Sequence, residues 1–225
     1  NDAKGDEAER QGHIQTAMNC WLRATEYYRS AEFWLDANDP RRLPTFTKCE
    51  NASHKWLKYL PGEVVEIPYE DGKTLPAYFI KSPKGGDRQP VLISFGGLDS
   101  FKDELWFMTG RGAVQRGISV LLVDGPGQGG ALRRQGIVSR YDYEVPVGKC
   151  IDWLEKRTDI DPKRIAVSGS SMGGYYAARA GSMEHRLAAC ISHGAIWDIE
   201  KRFADRGENH ALAGHMKWVI GADNM

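Results

Sequence analysis

Residues Gly169, Ser171 and Gly173 form a Gly-x-Ser-x-Gly pattern inside the run Val167-Ser168-Gly169-Ser170-Ser171-Met172-Gly173-Gly174. An apolar segment, 164–167, precedes it and a small-residue helical segment, 175–183, follows. A serine on a sharp strand-to-helix turn presents its hydroxyl at a sheet edge, and the flanking glycines let neighbouring chain pass close by. The next amide, that of Met172, opens a helix and points where an oxyanion would form. In a chain with 25 glycines, chance alone supplies roughly 0.15 such patterns. The strand before and the helix after are what make Ser171 a candidate nucleophile, against the alternative of a plain turn.

A second loop could complete that chemistry. The apolar run Val91-Leu92-Ile93-Ser94-Phe95 leads into Gly96-Gly97-Leu98-Asp99-Ser100. A glycine there allows close approach to a carbonyl, so the Leu98 and Met172 amides are the candidate paired oxyanion donors. Asp99 is a candidate acid or substrate-binding group, or with Ser100 a helix N-cap. A third loop, Asp124-Gly125-Pro126-Gly127-Gln128-Gly129-Gly130, has neither the Gly-Lys-Ser/Thr ending nor the spacing of a phosphate loop, and reads as a pocket wall.

These loops need a scaffold. Residues 8–35 carry apolar side chains at three- and four-residue spacings, and Asn38-Asp39-Pro40 separates them from a second helical stretch, 43–60. The aromatic residues here, Trp21, Tyr27, Tyr28, Phe33, Trp34, Trp56 and Tyr59, either pack the helices together or line a pocket. From residue 63 the period becomes two, which predicts a β-hairpin around Glu70-Asp71-Gly72. Buried strands follow at 91–95, 118–123, 164–167 and 187–192, with helices at 102–116, 143–157 and 175–183. That alternation predicts a doubly wound, mostly parallel α/β sheet, residues 62–225, behind a helical N-terminal cap segment, residues 1–61. Ligands of such sheets bind beyond the carboxyl ends of the strands, where Ser171 lies.

Composition narrows the rest. Thirty acidic and thirty basic residues cancel, giving no electrostatic case for nucleic acid or an anionic membrane. No apolar run approaches the roughly 18 residues of a membrane span. Cys20, Cys49, Cys150 and Cys190 are scattered, with no metal-ligand spacing, and suit a reducing cytoplasm. The apolar face of the N-terminal helices offers a surface for a homodimer.

Four motifs occur in order: 95–104 (FGGLDSFKDE), 124–129 (DGPGQG), 169–174 (GSSMGG) and 186–191 (RLAACI). Together they resemble α/β-hydrolases of the group containing 2,6-dihydropseudooxynicotine hydrolase, the fungal polyketide-shortening hydrolases and the fermentation/respiration switch protein. The resemblance runs from about residue 12 to residue 199. It implies a serine hydrolase without metal or organic cofactor, cleaving a C–C bond beside a ketone, or an ester, in an aromatic or polyketide-like small molecule. Ser171 matches the nucleophile and Asp99 an acidic position beside the oxyanion loop, where an acid could assist ketone cleavage. In this fold an acid and then a histidine follow the serine. His185, His193, His210 and His215 read as surface or lid residues, and Asp198 and Asp205 as helix-start or surface acids. Six strands are legible where a complete core has about eight, so the last strands, with the acid and the base, are expected outside the chain. The rival expectation is a non-catalytic relative that binds a partner; acyl transfer is a third.

Overall fold

The computed structural model describes residues 1–207 and 209–223. Helices α1 (Asp2–Arg10), α2 (Ile14–Phe33) and α3 (Arg42–Leu57) come first. The hairpin β1 (Gly62–Pro68) and β2 (Thr74–Ile80) follows, then β3 (Gln89–Phe95). A broken helix links β3 to β4 (Ser119–Val123): α4 (Lys102–Leu105), a π-helical turn (Trp106–Gly110) and α5 (Arg111–Gln115). Next are α6 (Gly129–Gln135), α7 (Glu144–Leu154), β5 (Ile160–Ser170), α8 (Met172–Met183) and β6 (Ala189–His193). Two short helices, α9 (Ile199–Ala204) and α10 (Ala213–Ile220), end the described chain. None of the described helices is long and apolar enough to cross a membrane.

The six strands form one sheet in the order β1-β2-β4-β3-β5-β6. β1 and β2 are antiparallel, β2 joins β4 antiparallel, and β4, β3, β5 and β6 run parallel. Chain order reverses at β3, whose neighbours are β4 and β5, and that reversal opens a crevice at the carboxyl ends of β3 and β5. Phe95 ends β3 and Ser170 ends β5, opposite Gly169 and His193 in the registers of their neighbours.

Alternate strand residues face opposite layers. Val91, Ile93, Leu121, Val123, Ile165 and Val167 pack with Cys150, Ile151 and Leu154 of α7 and Tyr176, Ala177 and Ala180 of α8. On the other face Leu92, Val120 and Leu122 pack with Trp21 of α2, Trp56 of α3 and Trp106. Trp21, Trp56 and Ala17 are wholly buried, so the apolar stripe of the N-terminal helices is spent on the sheet. Packing, not a pocket, is the role of those two tryptophans. Fully burying side chains of this size contributes a few kcal/mol each, about 25 cal/mol per Å².

The boundaries differ from the sequence reading in several places. The helix expected over 8–35 breaks at Gly12, which has φ +79° and ends α1. The helix expected over 102–116 is interrupted by the π turn. β5 starts at Ile160, and α8 starts at Met172 because its first turn is packed tightly enough to override the weak helix propensity of Gly173 and Gly174.

Candidate active site

Ser171 joins β5 directly to α8 with φ 59° and ψ −121°. That backbone region costs a non-glycine residue on the order of 1–3 kcal/mol and persists only where surroundings enforce it. The enforcement is visible. The Ser171 amide donates to the His193 carbonyl at 2.9 Å, and the Gly174 amide donates to the Ser171 carbonyl at 2.9 Å. A Cβ on Gly169 would lie 1.9 Å from the Gly173 carbonyl oxygen, so the strand and helix can meet only without side chains there. Ser171 is exposed while Met172 behind it is buried, so the turn displays the serine.

The loop after β3 lies against this elbow. A Cβ on Gly97 would lie 3.1 Å from both Ser171 Cβ and the Ser170 carbonyl oxygen. Gln128, buried in the third loop, holds that loop in place: its Nε2 donates to the Gly96 and Gly97 carbonyls at 2.6 and 3.0 Å. Its Oε1 accepts from the Gly125 amide at 3.2 Å. The loop that carries Leu98 thus meets Ser171 at Gly97, Met172 follows Ser171 directly, and among the described residues no loop or turn hydrogen bond engages either amide. Gln128 thus gives residues 124–130 a structural role, holding the loop after β3, that sequence reasoning missed.

Asp99 sits beneath the loop, fully buried, with φ +48°. It caps no helix; Phe101 precedes α4. Arg133 of α6 donates to Oδ1 at 2.5 Å and Oδ2 at 2.6 Å, and His215 of α10 lies with Nε2 2.8 Å from Oδ2. Burial would push this carboxyl up. The Arg133 charge and the hydrogen bonds from His215 and Arg133 outweigh it and hold the carboxyl well below the usual range. Asp99 is therefore ionised in this arrangement.

His215 is not the surface residue expected. Its ring packs on Phe33 with centroids 4.8 Å apart, and Arg42, which can only donate, brings Nη2 to 3.3 Å from Nδ1. With Nδ1 accepting and Nε2–H donating to Asp99, both nitrogens are used, and neither is left to deprotonate Ser171. Asp198 does start α9, its carboxylate accepting from the Lys201 amide at 2.9 Å. His193 is exposed on the edge strand and holds the elbow only through its carbonyl. Among the described residues no imidazole or carboxylate hydrogen-bonds Ser171 Oγ.

A second buried charge group anchors the loop after β4. Asp124 accepts from the Lys102 amide at 2.6 Å, the Gly130 amide at 2.8 Å and Lys102 Nζ at 3.0 Å. Lys102 Nζ also donates to Glu50 of α3 at 2.7 Å. An apolar cavity of about 220 Å³ adjoins Met172, walled mainly by Tyr175, Tyr176, Ile199, Phe203 and Ile220.

A mostly parallel sheet reversing at β3, with a strained serine after β5 and an amide-bearing loop after β3, defines an α/β-hydrolase. The FrsA-like esterase family model matches residues 4–213, and the chain belongs to that family. It is 36% identical to the α/β-hydrolase xenA of Xenoacremonium sinensis over 208 residues, covering 86% of this chain and 49% of the relative. It is 34% identical to the α/β-hydrolase psoB of Aspergillus fumigatus, covering 97% of this chain and 53% of the relative. The crystal structure of 2,6-dihydroxy-pseudo-oxynicotine hydrolase superposes with a TM-score of 0.86 at 29% identity, over 99% of this chain and 61% of the other. The chain thus spans about half the length of the curated relatives it matches.

Proposed function

We propose that this protein is a serine hydrolase in which Ser171 attacks the carbonyl of a small organic substrate, a ketone cleaved at its C–C bond or an ester. The observation that carries the reading is the elbow: an exposed serine at φ 59°, set against Gly97 of the loop that carries Leu98 and followed directly by Met172 at the start of a helix. Ser171 Oγ bonds to the carbonyl carbon while its proton passes to a base. The two amides receive the oxyanion, the C–C or C–O bond breaks, and the leaving group takes the proton. Water then hydrolyses the acyl-enzyme. None of the six histidines engages Ser171 Oγ, so the reading assigns the base to a histidine outside these residues.

The substrate side rests on the cavity beside Met172. Tyr175, Tyr176 and Phe203 suit an aromatic ring or a short polyketide-like chain, and about 220 Å³ exceeds the roughly 150 Å³ that accommodates benzene. One structural relative is named for hydrolysis of 2,6-dihydroxy-pseudo-oxynicotine, which supports the same class. The four unpaired cysteines suit a reducing cytoplasm as the setting this reading favours.

The test is turnover by the full-length protein of p-nitrophenyl esters and aryl β-diketones, with Ser171→Ala beside it. Hydrolysis of either class, lost in the variant, supports the reading. A folded full-length protein inert toward both favours a non-catalytic binding relative.

A further inference from the structure

The oxyanion-side loop is gripped from the cap. Arg133, which holds the Asp99 carboxylate, also donates from Nε and Nη2 to both oxygens of Glu32 on α2, at 2.8 Å each. Arg42 of α3 adds an ion pair to Glu32 at 3.4 Å and one to Asp99 at 3.6 Å. Arg29 of α2 donates to the Asp99 main-chain carbonyl at 2.9 Å and to Glu104 at 3.1 and 3.3 Å. The side chains of Asp99, Glu32, Arg133 and Arg42 are all buried, and their two negative and two positive charges cancel. Cations and rings interleave here, with Arg133 over Phe101 at 4.4 Å and Arg42 over Trp218 at 4.1 Å.

We infer that Asp99 is a positioning residue of the reaction: its carboxylate, clamped by Arg133 and His215, locks the turn that presents the Leu98 amide, and it donates no proton to substrate. The inference rests on the serine-hydrolase reading. Three features support it. Asp99 has no exposed surface from which to reach a substrate. Oδ2 already accepts both Nη2–H and the imidazole Nε2–H and Oδ1 accepts Nη1–H, so protonation would remove the charge that holds Arg133. Its left-handed backbone is unfavourable for aspartate by on the order of 1 kcal/mol, so the turn holds only while side-chain and main-chain anchors persist. The cap helices, through Glu32, Arg29 and Arg42, thereby fix a group one residue from the proposed oxyanion donor.

The experiment compares wild type, Asp99→Asn and Arg133→Lys in the full-length protein, each below its own melting temperature. Asparagine keeps the shape and loses the charge; lysine keeps the charge and loses the fork that grips both oxygens. Hydrolysis of p-nitrophenyl acetate should show kcat lowered about tenfold to a hundredfold in both, with KM within about threefold and an unchanged pH profile. Hydrogen exchange of the Ser100 and Gly129 amides, which donate to the Gly97 and Ser100 carbonyls and close this turn, should rise in both variants while 176–183 stays protected. Unchanged exchange at Ser100 and Gly129, or wild-type kcat in either folded variant, overturns the inference. Loss in Asp99→Asn alone, with an altered pH limb, would make Asp99 a proton donor instead. Wild-type protein inert to both the ester and aryl β-diketones while exchange responds as expected would sink the hydrolase reading and leave the clamp in place.

Discussion

A Cβ on Gly173 would stand 2.2 Å from the carbonyl oxygen of Gly96, so the helix carrying the serine and the loop carrying the second amide meet backbone to backbone. No side chain can be absorbed there without moving one of them. Gly173→Ala is expected to cost about 2 kcal/mol or more, the upper range of core overpacking, read as a lowered midpoint in urea. Gly97→Ala meets Ser171 at 3.1 Å, a contact the loop can relieve by a few tenths of an ångström. It should fold with nearly wild-type stability yet lose about tenfold to a hundredfold in kcat, because the donors are displaced from the carbonyl.

Glu26 gives a pH prediction. Its Oε1 is buried without a hydrogen-bond partner, and burial, helped by the nearby Glu104, pushes its carboxyl up to about 7. The folded state then holds a proton that the unfolded chain releases near pH 4.5. Stability attributable to this group is greatest in acid, falls as pH rises from about 4.5 to about 7, and is flat above. Glu26→Gln, which mimics the protonated form, should raise Tm at pH 8 and have little effect at pH 5. An equal gain at both pH values would contradict the assignment.

Lys102 is 1% exposed and is the counter-charge for Asp124 and Asp103 and, together with Arg134, for Glu50. Lys102→Met would strand the two buried carboxylates of Asp124 and Asp103 and is expected to destabilise by about 3–5 kcal/mol at pH 7.5. Because stranded carboxylates prefer to be protonated, the deficit should shrink as pH falls toward 5. Denaturant titrations at both pH values measure this directly.

How much of this was legible in the sequence depends on the range of each constraint. The elbow is local: Gly169, Ser171 and Gly173 carry their conformational meaning within five positions, and the strand pattern flanks them. The six strands followed from apolar runs and period-two alternation, but their order in the sheet did not, and the last, expected to be buried, is β6, exposed at the sheet edge. The α1–α2 break at Gly12 was obscured because apolar spacing continues across it. The clamp was not legible at all. Arg133 lies 34 residues and His215 lies 116 residues from Asp99, and nothing in local periodicity pairs them. For the same reason His215 looked like a surface residue, and Gln128 like one more polar position in a glycine-rich loop.

Substrate preference should follow the cavity beside Met172. Phe203→Trp narrows the 220 Å³ space from α9 and should raise KM for aryl esters while leaving acetate esters nearly unchanged. Phe203→Ala should shift preference toward bulkier acyl groups. Identical shifts for acetate and aryl esters would separate this cavity from substrate binding.

The central claim is that Ser171 is an activated nucleophile. The most direct measurement is mass-spectrometric mapping of the adduct formed when the full-length protein meets a fluorophosphonate. The account predicts one stoichiometric phosphonyl group on Ser171, absent in Ser171→Ala and slowed in Gly97→Ala. A folded, full-length protein that stays unmodified at Ser171, or carries the group on another serine, would contradict it.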